Sequence, residues 1–228
     1  MALIDNLIAY YKLDGNSNDS VASNDGTDTD VSYVAGKINQ AADFNGSSSK
    51  IVLGTTGLPS GTSDRTISAW INPTSLTNYG VIFAYGTASA NQGFQWGLDG
   101  TTDKITVGKF GAGSPPSNTG LTTGSLQFVG VKLESNQITY YYNGQPDGVQ
   151  ALAGVNTALT YARIGKAIPN WDAADGAYLF DGIIDELGVW SRALSDAEIL
   201  ELYNSNSGLS YPFSSGRTIN PLYLRSLR

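Results

Sequence analysis

Phe180-Asp181-Gly182-Ile183-Ile184-Asp185-Glu186-Leu187-Gly188-Val189-Trp190-Ser191-Arg192-Ala193-Leu194-Ser195-Asp196-Ala197-Glu198-Ile199 changes its periodicity part-way along. In the first half, β-branched and apolar residues are interrupted by carboxylates, the pattern of a strand with one face buried; the second half takes up helical spacing. The spacing predicts a strand from Phe180 to Trp190 that runs into a short helix. Ser195-Asp196-Ala197-Glu198 reads as a capping box, in which the Ser195 hydroxyl accepts from the Glu198 N–H and the Glu198 carboxylate accepts from the Ser195 N–H. The helix is expected to bury Ile199, Leu202 and Tyr203. Regular strand alternation sets Glu186 on the face opposite Asp185.

The rest of the composition agrees with strands and turns. Among 228 residues there are 27 glycines and 13 tyrosines, and aromatics reach 11%, a bias toward pleated surfaces joined by tight turns. The length suits one all-β sandwich, a class that runs to about 200–250 residues as a single unit. There is no cysteine and no histidine, which removes disulfides, thiol chemistry and imidazole-based catalysis. Any metal must be a hard cation held by oxygens. All 20 acidic residues precede Asn204, whereas the tail carries Arg217, Arg225 and Arg228. An acidic body argues against a nucleic-acid partner, and three arginines are too few for a polybasic membrane tract. No stretch approaches the ~18–20 apolar residues of a membrane span. The start, Met1 to Asn6, lacks the basic region of a signal peptide. The expectation is a chain made in the cytoplasm that reaches an outer surface as part of a larger particle, for example after lysis.

Strands are expected from Leu7 to Leu13, Thr66 to Asn72, Val81 to Tyr85, Leu126 to Leu133, Ile138 to Tyr142 and Ala162 to Gly165. From Thr66 to Asn72, Ile67, Ala69 and Ile71 share one face, and Ser68, Trp70 and Asn72 the other. Phe94, Trp96 and Leu98 share a face of a strand that returns through Asp99-Gly100 to Ile105 and Val107, and Asn143-Gly144 marks another hairpin. Ala41 to Phe44 and Lys50 to Leu53 are expected to pair as a hairpin around Asn45-Gly46. Asp14 to Thr29 is built from turn formers, Gly111 to Gly124 is a loop, and Ile168 to Tyr178 is a loop carrying Trp171.

Taken with Tyr10-Tyr11-Lys12-Leu13-Asp14-Gly15-Asn16-Ser17-Asn18-Asp19-Ser20 and Ala42-Asp43-Phe44-Asn45-Gly46, the opening stretch resembles the end of a laminin-G-like domain of the concanavalin A-like lectin superfamily. The resemblance runs from about Leu7 to Asn204. It implies an antiparallel two-sheet jelly-roll sandwich over residues 1–206 with one short C-terminal helix; the residues after it, 207–228, lie outside the resemblance and, with Pro212, Gly216 and Pro221 and no period, are expected to form an extended C-terminal arm. The resemblance also implies a structural Ca²⁺ held by Asp19, Asn24, Thr27 and Asp185, with Asp25 competing with Asn24 as the ligand. The competing reading of that loop is that Asp, Asn and Ser crowd it to make Asx-turns.

Related jelly rolls include β-glucanases with paired glutamates, which retaining hydrolysis needs about 5–5.5 Å apart. The only glutamates here are Glu134, Glu186, Glu198 and Glu201, and none is spelled as a pair two residues apart on a strand. No enzymatic activity is therefore expected. Glycan binding calls for exposed aromatics beside polar groups: Trp171 with Asn170 and Asp172, Tyr79 with Asn78, and Trp96 are candidates, each with core or rim packing as its alternative. Two roles follow. One is a calcium-binding recognition or assembly module exposed on a virion or similar particle; the other is a carbohydrate-binding, lectin-like domain. The arm residues Tyr211, Phe213, Ile219, Leu222, Tyr223 and Leu224 are too apolar for a solvated tail, so the arm is expected to lie on a neighbouring subunit and hold a homo-oligomer together, with packing on its own domain as the alternative.

Overall fold

The computed structural model describes residues 1–171 and 177–213. Its strands are β1 (Leu7–Tyr11), β2 (Thr27–Thr29), β3 (Ser32–Ala35), β4 (Gln40–Asn45), β5 (Lys50–Leu53), β6 (Arg65–Pro73), β7 (Val81–Gly86), β8 (Gly93–Leu98), β9 (Ile105–Lys109), β10 (Ala112–Gly113), β11 (Gln127–Glu134), β12 (Gln137–Tyr142), β13 (Gln145–Ala151), β14 (Tyr161–Ile164) and β15 (Asp181–Trp190). One helix, α1 (Asp196–Tyr203), follows. One sheet runs β13-β12-β11-β6-β15-β4-β3 with β1 also on β15, the other runs β10-β9-β8-β7-β14-β5-β2, and every pairing is antiparallel. The jelly-roll sandwich with a single short helix is as expected.

Period-2 patterning builds the core. Ile67, Ala69 and Ile71 of β6 meet Phe83 and Tyr85 of β7 and Phe94 and Trp96 of β8 in the cluster between the sheets. Trp96 is wholly buried there, so it is core and not a binding platform. Trp70, from the other face of β6, joins Tyr10, Phe128 and Trp190 in a second cluster capped by Ile199 and Leu202 of α1. Both hydrogen bonds of the Ser195–Glu198 capping box are present. Ile199 and Leu202 are buried as predicted, whereas Tyr203 stays half-buried and stacks on Trp70.

Two expectations are corrected. β4 and β5 do not form a hairpin: β4 pairs with β15 and β3, and β5 with β14 and β2. The chain crosses between sheets at Asn45-Gly46, where Asn45 Oδ1 accepts from the N–H groups of Ser47, Ser48 and Ser49. An Asn-Gly turn fixes a local reversal but not which sheet receives the next strand. The second correction concerns β15. It pairs with β6 along most of its length, but its other edge changes partner, from β4 at Asp181–Ile184 to β1 at Leu187–Trp190. The register slips between Asp185 and Gly188, and Glu186 sits at φ 50°. This is a β-bulge, and it cancels the alternation that would have put Glu186 on the face opposite Asp185.

β1 pairs with the last strand, as chain ends do in jelly rolls. β3 and β13 went unread because their patterns are half-exposed and carry little hydrophobic signal. After α1 the chain turns through Asn204, at φ 49°, and lays Tyr211 and Phe213 on its own domain. Phe213 meets Tyr10 edge-on at 5.4 Å and stacks with Trp190 at 6.4 Å. The rest of the expected arm, including Arg217, Ile219, Leu222, Tyr223, Leu224, Arg225 and Arg228, lies outside the described residues.

Phe213→Ala removes a ring from three aromatic partners at once, Tyr10, Trp190 and Tyr211, and should lower the unfolding free energy by about 2 kcal/mol. Urea denaturation measures this. An unchanged midpoint would mean that Phe213 adds nothing to the stability of the domain.

Candidate functional site

The outer face of the β10-β9-β8-β7 half of the second sheet is partly covered by the segment after β14. Ala167 and Ile168 pack on Val81 and Ala84 there, with Trp171 and Tyr178 at their margin. Between this segment and the β8–β9 hairpin is a cavity of about 490 Å³ lined by Tyr79, Gln95, Asp99, Thr106, Lys109, Phe110, Trp171 and Tyr178, with Gly97, Gly108, Gly111 and Gly113. This lies within the roughly 300–1,000 Å³ range of small-ligand pockets. Two aromatic pairs border it: Phe110 and Trp171 meet edge-on at 5.5 Å, and Tyr79 and Tyr178 at 5.6 Å.

Glycines seat these rings. A Cβ on Gly93 would stand 2.3 Å from Trp171 Cζ3, and one on Gly100 would stand 3.1 Å from Tyr79 Cγ. Gln95 faces outward because its neighbours Phe94 and Trp96 face the core, and its Oε1 is occluded without a hydrogen-bond partner. Lys109 Nζ donates to the Ala153 carbonyl at 2.7 Å. The structure thus brings together two of the expected glycan candidates, Tyr79 and Trp171, on one cavity. Asn170 is exposed beside Trp171, and Asp172 lies outside the described residues. Gln95, Phe110 and Tyr178 were not read from the sequence. Gln95 was legible as the outward residue between two core aromatics, whereas Tyr178 arrives through a loop with no period.

The expected metal ligands fall in two places. In the first loop, Asp19 Oδ1 accepts from the N–H groups of Tyr10 at 3.1 Å and Val21 at 3.0 Å, and its Oδ2 accepts from Asn24 N–H at 3.2 Å. Asp25 Oδ1 accepts from Asp19 N–H at 2.8 Å. Asn24, wholly buried, closes a two-way pair with Thr56: its Nδ2 donates to the carbonyl at 2.9 Å and its Oδ1 accepts from the N–H at 2.8 Å. Thr27 lies in β2 opposite Val52. Asp185 sits apart from this loop's hydrogen bonds, its Oδ2 accepting from the N–H groups of Lys37 at 2.7 Å and Ile38 at 3.2 Å. Among the described residues, no three acidic side chains are arranged to hold a metal ion.

Asp185 and Glu186 form a buried acidic pair under the C-terminal segment. Oδ1 of Asp185 and Oε1 of Glu186 are buried without a hydrogen-bond partner. The Tyr10 hydroxyl lies 2.5 Å from Glu186 Oε2 and 3.1 Å from the Leu209 carbonyl. The Tyr10 O–H donates to Glu186 Oε2, with the Leu209 carbonyl as a second and longer acceptor, so this bond favours the ionised carboxylate and opposes the effect of burial. Burial pushes Asp185 up to about 7 against the N–H bonds that lower it, and burial pushes Glu186 up to about 8, helped by the neighbouring Asp185 charge. Burial and the Glu186 charge also raise Tyr10 well above its ordinary value.

The sequence profile of the concanavalin A-like lectin/glucanases superfamily matches residues 44–200. The chain belongs to that superfamily. No curated protein sequence matches it. Among solved structures, it is similar to domain 4 of AbnA, an extracellular GH43 arabinanase from Geobacillus stearothermophilus solved in complex with arabinotriose, at 25% identity and a TM-score of 0.69, covering 86% of this chain and 97% of that one. It also resembles in fold the binding domain of Paraclostridial Mosquitocidal Protein 1, at 18% identity and a TM-score of 0.65, covering 89% of this chain and 52% of that one. The receptor-binding domain of a botulinum neurotoxin C/D mosaic gives 16% identity and a TM-score of 0.65, covering 88% and 51%. This member of the superfamily therefore spans about half the length of the two toxin chains.

The acidic pair sets a pH dependence whose sign is fixed. Both folded-state values are raised, so the native lectin-like domain holds protons that the unfolded chain releases above the ordinary carboxylate range. The stability these groups contribute is complete below that range and falls as pH rises through about 7 and 8. In chelator-treated buffer, the urea midpoint should be lower at about pH 9 than at about pH 5, and Asp185→Asn or Glu186→Gln should flatten the slope. A wild-type midpoint that rises across this window would show the pair to be ionised when folded.

Proposed function

We propose that this chain is a non-catalytic carbohydrate-binding module whose ligand lies in the cavity on the β8–β9 hairpin. The observation that carries the reading is the pair of aromatic clusters, Phe110–Trp171 and Tyr79–Tyr178, facing one cavity beside the Gln95 amide. Sugar rings have apolar C–H faces that stack on aromatic rings and hydroxyls that need amide and hydroxyl partners, and this lining offers both. The similarity to an arabinotriose-bound domain, over nearly the whole of that domain, supports it. Asp99 is the one carboxylate among the described lining residues, whereas glycoside hydrolysis ordinarily requires two. In this reading, adhesion on a virion or another outer surface is one use of the same groove, and a homo-oligomer would multiply its avidity.

Affinity electrophoresis through gels containing arabinan, xylan or galactan tests the reading. At least one polymer should retard the wild type, and Tyr79→Ala with Trp171→Ala should weaken that retention at least about tenfold, the equivalent of 1.4 kcal/mol. Equal retardation of the double variant would place the ligand elsewhere.

A second reading, a structural Ca²⁺ beside Asp185, is favoured by one observation: Oδ1 of this buried carboxylate has no partner, and Asp14 lies close enough to act on it electrostatically. The remaining donors would be backbone carbonyls, amide oxygens or water. Millimolar Ca²⁺ added to chelator-treated protein should raise the melting temperature, since a ligand bound only by the native state stabilises it by about 2.7 kcal/mol at a hundredfold excess over Kd. Asp185→Asn should abolish the rise, and an unresponsive wild type retires the site.

A further inference from the structure

We infer that the groove takes a run of a neutral linear oligosaccharide laid along the β8–β9 hairpin and gripped at both ends, not a terminal sugar; the inference rests on the glycan reading above. The two aromatic pairs stand at opposite ends of the hairpin. Trp171 lies over Gly93 and Gly108, and Tyr79 lies against Gly100. Trp171 thus lies at the start of β8, whereas Gly100 is two residues past its end at Leu98, so the two levels are separated by at least the five-residue run of that strand, roughly 16 Å at the strand rise of about 3.3 Å per residue. One sugar ring cannot touch both pairs. A ligand that uses both must be a chain.

The floor between the pairs carries few side chains. Gly97 and Gly108 bring no side chain, Thr106 donates its hydroxyl to the Ser114 carbonyl at 3.1 Å, and Gln95 contributes a carboxamide. Charge selects further. Among the described lining residues, the charged groups are Asp99, near the Tyr79 end, and Lys109, near the Phe110 end. Their opposite signs cancel along the groove, and the chain carries a net charge of −7. A polyanionic glycan would meet Asp99 and the field of the whole body, which repels it. A neutral chain meets neither penalty.

Isothermal titration with arabinose and arabinotriose, xylose and xylotriose, galactose and galactotriose, and trigalacturonate as the charged control tests this on the intact protein. At least one neutral trisaccharide should bind at least tenfold tighter than its own monosaccharide and than trigalacturonate. Tyr79→Ala and Trp171→Ala should each cost the trisaccharide about tenfold, while Tyr79→Phe and Trp171→Phe keep most of the affinity; thermal melts confirm that each variant is folded, and the length series in wild type needs no variant. Monosaccharide binding as tight as trisaccharide binding, tighter binding of trigalacturonate, or dependence on only one of the two rings overturns the two-ended groove and leaves the glycan reading standing. Failure of the wild type to bind any of these sugars or the gel polymers removes the glycan reading and this inference with it.

Discussion

The central strand β15 must serve two neighbours along one edge, and the bulge at Asp185–Glu186 is how it does so. Upstream of the bulge it pairs with β4, downstream with β1, and β6 runs along its other side. A regular strand would hold one register throughout, and the switch of partner needs an extra residue on the bulged strand. That residue, Glu186, is held at positive φ and turned into a buried site where its carboxyl meets the Tyr10 hydroxyl. The same bulge aims Asp185 at the backbone N–H groups of Lys37 and Ile38, anchoring the turn between β3 and β4. Two carboxyls are thus desolvated to tie β1 and the β3–β4 turn to the centre of the sheet, and raised proton affinity is the consequence.

The two outer faces of the sandwich are treated differently. The eight-stranded sheet is covered around its centre by α1 and by the segment through Phe213, which complete an apolar layer around Trp70, Tyr10 and Trp190. Among the described residues, the seven-stranded sheet is covered only in part, by the segment after β14, and the cavity there is bordered by aromatic rings and floored by glycines. Gly93, Gly97 and Gly108 lower that floor because a side chain at Gly93 would displace Trp171, and one at Gly97 would strike the Gly80 carbonyl at 2.3 Å. Small residues on paired strands, bordered by rings from flanking segments, leave the groove-lining groups little conformational freedom.

Much of this architecture follows from local chemistry. Alternation in β6 and β8 identified the core faces, the Ser195–Glu198 box marked the start of the helix, and Asn143-Gly144 set the β12–β13 hairpin, each through interactions among residues close in sequence. Tyr79 and Trp171 could be singled out as aromatics in polar loops, but nothing local showed that they border the same cavity. They are 92 positions apart (171 − 79), and the sheet brings them together.

The sequence by itself determined the fold class, the core faces, the capped helix and the absence of imidazole and thiol chemistry, because these depend on residue type and short-range periodicity. Tertiary structure alone decided which sheet receives β5, since the Asn45-Gly46 turn reverses the chain equally well within a sheet or between two. It decided the common site of Asp185 and Glu186, because a bulge arises from competition among three neighbouring strands and leaves no mark in the pattern of one. It also decided the groove, because a concave surface exists only where separate segments meet.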